Sequence, residues 1–184
     1  MQPEIRRSVK KNGEYVIRFS ELKEDTETFE FDLGKTFFQD NSSNNWESGN
    51  VGANVDITKR PDGISLDLQL SGELTVICDR CLDAFPYRID TVQRLYVKHG
   101  HETMELDDDV VVVSRDENQI DLEGYFYEYL VLALPVKRTH PEDSNGESTC
   151  NSQMLNKLEE HIIAEDTEKT DPRWDDLKKL MDKN

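Results

Sequence analysis

What the sequence lacks narrows its function first. No stretch approaches the roughly 18 apolar residues that a membrane-spanning helix needs. Behind Arg6 and Arg7 there is no apolar run of the kind that makes a signal peptide, so a cytoplasmic location is expected. Cysteine is scarce, three in 184 residues. That odd count argues against a disulfide framework and for free thiols or metal ligands. Neither G-x-x-x-x-G-K-[ST] nor G-x-G-x-x-G occurs, which leaves nucleotide binding unsupported, and no small-molecule substrate is evident. No serine sits in a G-x-S-x-G elbow, and His99, His101, His140 and His161 lack an evident nucleophile partner. The expectation is a protein that is not an enzyme.

Positive charge is also in short supply. Lys and Arg number 22 against 39 Asp and Glu, a net charge of −17. Residues 1–100 hold 13 basic and 17 acidic groups, whereas residues 101–184 hold 9 and 22, so the imbalance lies mainly in the second part. Such a surface repels phosphate backbones, whose affinity depends on Lys and Arg displacing counterions. It attracts basic partners and speeds encounter with them, and it also favours solubility.

Alternation is the main structural signal present. Val51, Ala53, Val55 and Ile57 alternate with polar residues, and Arg60-Pro61-Asp62-Gly63 supplies a turn. Ile64, Leu66, Leu68, Leu70, Leu74, Val76 and Cys78 then share one parity, with Gly72 expected at a bulge or bend. Phe85, Tyr87, Ile89, Leu95 and Val97 form a third row. Side chains alternate faces along a strand, so each row offers one apolar face to a core. Shorter strands are expected over 15–19, 28–31 and 110–113, with polar loops over 41–50 and 101–109.

A helix is expected after Ile120, capped by Asp121 and ended by Pro135. Its stripe is Leu122, Tyr125, Phe126, Tyr129 and Ala133, broadened by Leu130 and Leu132. An amphipathic helix over 152–164 and a last short helix opened by Asp171-Pro172-Arg173-Trp174 follow. The fold class is α+β: an antiparallel β-meander, curving toward a partly closed barrel, covered by a central helix, with short C-terminal helices. Residues 1–135 make the sheet and central helix. Residues 136–184 make a polar loop and C-terminal helices on, or trailing from, the same domain.

The chemistry concentrates in Cys78-Asp79-Arg80-Cys81, at the reversal between two long strands. Two thiolates at this spacing can bind one zinc ion from a single turn, and tetrahedral zinc needs two further ligands. His140 and Cys150, in the polar loop after the main helix, are the candidates. Zinc and no zinc both stay open: without metal, Cys78 packs as a small hydrophobe and Cys150 is incidental. Arg80, Arg88, Lys137 and Arg138 would form a local positive spot able to hold RNA phosphate or a partner, if the turn and the His140 loop meet. The alternative is solvated charges pairing with nearby carboxylates. Arg6, Arg7, Lys10 and Lys11 form a second, short basic arm.

Three stretches together carry a resemblance. Cys78-Asp79-Arg80-Cys81-Leu82 is similar to the C-x-R-C-L signature of the YceD family. Ile120-Asp121-Leu122, Glu128 and Leu132-Ala133-Leu134-Pro135 resemble its central helix, and Asp171-Pro172-Arg173-Trp174 resembles its closing helix. Many members carry a second cysteine cluster after the central helix, where this chain has His140 and Cys150. The resemblance implies a non-catalytic role in accumulation or assembly of large-subunit (23S) ribosomal RNA. The partners would be ribosomal RNA precursor or basic ribosomal proteins. The competing expectation is a free-standing zinc-binding interaction module without a ribosomal role.

Overall fold

Strict alternation over long runs leaves a chain little choice but extended ladders, since each apolar row must find a common core. In the computed structural model these runs are strands β4 (Ser48–Arg60), β5 (Gly63–Ile77) and β6 (Ala84–Gly100). Residues 6–8, 15–23, 25–41 and 45–161 are described, 6–8 by their strand alone. The expected closing helix at Asp171-Pro172-Arg173-Trp174, Ile162 to Ala164, and Lys10 and Lys11 of the basic arm lie outside them.

The remaining elements are β1 (Arg6–Ser8), β2 (Val16–Arg18), a 3-10 turn (Phe19–Glu21), β3 (Thr26–Leu33) and α1 (Lys35–Asp40). After β6 come β7 (Met104–Asp107), β8 (Val110–Ser114), β9 (Gln119–Asp121), α2 (Glu123–Ala133) and α3 (Ser152–His161). One sheet runs in the order β1-β3-β4-β5-β6-β8-β7, and β2 pairs with β9 apart from it.

Strands β4 to β6 form the expected antiparallel meander and β3 extends it by a fourth strand, but the sheet as a whole is mixed. β1 lies parallel to β3 and β8 parallel to β6. Nor does it curl into a barrel: β1 and β7 stand at opposite edges of the described sheet. Its apolar face is covered by other elements instead. Phe37 and Phe38 of α1 and Phe126 and Leu130 of α2 join Phe29, Phe31, Val55, Leu68 and Leu95 in one buried cluster. Phe126 meets Phe31 with ring centroids 5.5 Å apart, and Trp46 meets Phe38 at 5.6 Å. Each such side chain contributes about 1.5–3 kcal/mol by leaving water.

Several expectations shift. The expected strand around Val16 stands outside the main sheet and pairs with β9. The acidic stretch 101–109 contains an edge strand, β7. The polar stretch 41–50 already enters β4 at Ser48. Gly72 makes no bulge: the ladder runs unbroken through Val51, Gly72 and Ile89, and glycine is there because a Cβ would meet Asn50 O at 2.3 Å. Asp121 accepts the Glu123 N–H at the start of α2 (3.0 Å). Leu132 does not widen the buried stripe and is 66% exposed. No helix among the described residues is long and apolar enough to cross a membrane.

Candidate metal centre

The reversal between β5 and β6 is closed by its own backbone. Cys78 N–H donates to Asp83 O (2.9 Å), and Leu82 N–H donates to Cys78 O (2.9 Å). Leu82 must take φ +62° to make that turn, a conformation costing a non-glycine residue roughly 1–2 kcal/mol. The tight reversal turns both thiols inward, where Cys78 and Cys81 are buried. The Arg80 N–H points at Cys78 Sγ from 3.5 Å, the contact a turn of this kind makes to a thiolate.

The segment after α2 is tied to this reversal from two sides. Asp79 N–H donates to Arg138 O (2.7 Å), and Arg138 N–H donates back to Asp79 Oδ2 (2.6 Å). These bonds set His140 over the turn. Its ring lies on Phe85, with centroids 4.6 Å apart, which fixes its orientation. Asn151 Nδ2 donates to Asp83 Oδ2 (3.1 Å), bringing Cys150 to the same place.

The four expected ligands meet. The ligand atoms of Cys78, Cys81, His140 and Cys150 all lie within 4.8 Å of one another. Cys78 Sγ is 3.7 Å from Cys150 Sγ, too far for a bond and right for two ligands of one ion. His140 offers Nδ1, which is 3.4 Å from Cys81 Sγ and 3.7 Å from Cys150 Sγ. Metal–sulfur bonds near ~2.3 Å and metal–nitrogen bonds near ~2.05 Å in a tetrahedron give edges of about 3.8 and 3.5 Å. Three thiols and one imidazole at these separations could therefore hold one tetrahedral metal ion.

The electrostatics differ between the two thiols of the turn. Burial pushes the Cys78 thiol up, but N–H groups of Cys81 and Arg80 and the His140 ring outweigh it and bring it to about 6. Burial raises Cys81.

The basic residues expected to form a spot divide. Arg138 is committed to structure: Nη1 donates to Asn45 O (3.0 Å) and Nη2 stands 3.5 Å from Asp79 Oδ1. Arg80 and Lys137 are exposed beside the centre. Arg88 is exposed on β6, opposite Glu73 of β5. Residues that sequence reasoning missed are Asp79, Asp83, Phe85 and Asn151, which position the ligands. Asp79 carried a signal as one of the two polar residues between the cysteines, and Phe85 only as a member of the third apolar row.

A family model described as "Large ribosomal RNA subunit accumulation protein YceD" matches residues 66–181. The chain belongs to the YceD family. The matched region begins in β5 and takes in the reversal, α2 and all four clustered ligands, while β1 to β4 precede it. No curated protein and no solved structure matches the chain. The YceD family name ties the protein to accumulation of the large ribosomal RNA subunit.

Proposed function

We propose that this YceD-family protein is a non-catalytic factor that supports accumulation or assembly of large-subunit (23S) ribosomal RNA by binding a basic ribosomal protein. A structural zinc ion clamps its Cys78–Cys150 corner. The observation that carries the reading is the closure of the four-ligand cluster. A catalytic zinc keeps one position open for water or substrate, whereas four protein ligands, three of them buried thiols, leave none. The net charge of −17 supports a basic partner over bare RNA.

Sedimentation of cell extract tests it. The tagged protein is expected with large-subunit precursor particles, and its link to ribosomal proteins is expected to survive ribonuclease. No association with any ribosomal component would overturn the reading. Direct RNA contact is the second reading, favoured by the exposure of Arg80 and Lys137 beside the clamped corner. Under it, reversing Arg80, Arg88 and Lys137 would weaken binding and flatten its salt dependence.

A further inference from the structure

At the far edge of the sheet from β1, β7 pairs with β8 on one side, and no described strand pairs with the other. An open edge presents unpaired N–H and C=O groups that another extended chain can join. Met104 and Leu106, both on β7, are 50% and 60% exposed. Glu105 stands opposite Val111, whose side chain is on the buried face of the sheet, so Glu105 turns toward α2.

β7 and α2 stand on either side of an open surface cleft. A cleft of about 270 Å³ has Leu95 and Val111 among its lining residues, Glu105, Asp107 and Asp108 on one side, and Tyr125 and Glu128 on the other. No basic residue lines it. The carboxylates act on the space between them: burial first, then the charges of Glu105 and Glu128, raises the Tyr125 phenol. A Lys or Arg side chain suits this geometry, with its stem on the apolar lining and its charge among the carboxylates and against the tyrosine ring.

We propose that the β7 edge and the adjoining cleft dock an extended lysine- or arginine-rich segment of a protein partner. The segment adds alongside β7 and places a cationic side chain between Glu105 and Glu128. Charge selects this occupant. A second copy of this acidic edge would be repelled, and so would a phosphate backbone. The inference rests on the reading that the protein engages a basic ribosomal protein, and it names the surface that does so.

The probe is a labelled decapeptide of alternating Arg and Val, titrated by fluorescence anisotropy into the full chain. E105Q/E128Q is expected to weaken binding by roughly tenfold, because the two carboxylates face the same cation from opposite sides of the cleft. E73Q/D90N removes the same charge from positions on β5 and β6 that do not line the cleft and should change it less than about twofold. An N-methylated version of the peptide keeps its charge but loses edge donors, and should lose most affinity. Equal losses from the two double variants would mean diffuse attraction and overturn the proposal. Undiminished binding of the N-methylated peptide, or displacement of the peptide by millimolar Mg²⁺ at constant ionic strength, would do the same. If wild type and E105Q/E128Q recover the same ribosomal protein equally from extract, this inference fails and the proposed function stands. If the cleft binds the peptide selectively but extract yields no ribosomal component, the reverse holds.

Discussion

Tyr129 shows how much one buried atom can cost. The residue is 5% exposed and its hydroxyl has no hydrogen-bond partner among the described residues. Burial, aided by Glu128, Tyr125 and Asp109, pushes its phenol up to about 12 from an ordinary 10.0. A raised folded-state value means the native protein holds this proton while the unfolded chain releases it. The stability from this site is therefore whole below pH 10 and is lost as pH rises toward about 12. Tyr129→Phe is expected to raise stability by about 1 kcal/mol at neutral pH, since an unsatisfied buried hydroxyl costs about 1–3 kcal/mol. It should also remove part of the alkaline loss. Urea denaturation at pH 7 and pH 11 checks both, and a variant less stable at pH 7 would mean the hydroxyl has a partner.

At the scale of elements, the long strands were legible because their parity is unbroken and one face is mostly apolar, as from Ile64 to Val76, where only Gly72 interrupts the row. β7 was not legible because an edge strand exposed on both faces needs no alternation: Met104, Glu105, Leu106 and Asp107 are all exposed. α1 is under two turns long, too short for a helical period to show. The two cysteines of the turn announced themselves by spacing. Nothing local says that His140 and Cys150 reach them, because that depends on where α2 delivers the chain. Arg138 shows the same limit: its type pointed to a partner's charge, but its neighbours Asp79 and Asn45 have already taken it. Gly72 is where one element most constrains another. A Cβ there would lie 2.7 Å from Val51 Cα as well as 2.3 Å from Asn50 O, both backbone. Gly72→Ala must push β4 off β5 and is expected to cost about 2–3 kcal/mol, read from the denaturation midpoint. A neutral result would mean the two strands sit farther apart.

For the whole molecule, the prediction is metal dependence. The purified protein is expected to carry one zinc per chain, lost to a chelator or on changing Cys78 and Cys81 to Ser. Loss should lower stability by about 4 kcal/mol, the loop-closure value for a long cross-linked loop. Residues 138–151 should become the first site of proteolysis while the meander stays folded, because Leu66, Leu68 and Leu95 share their buried cluster with Phe31, Val55, Ile57, Phe126 and Leu130, outside the corner. Metal analysis with limited proteolysis checks this, and an unchanged cleavage pattern after complete metal removal would count against the clamp.

Cys78 and Cys150 stand 72 positions apart in the chain. Everything between them, from β6 through the acidic edge to α2, is thus a single loop whose two ends meet at one point. Under the proposed zinc clamp, a cell short of that metal could make the full polypeptide and still leave that loop unlatched. The amount of working protein would then follow nutrient supply as well as gene expression.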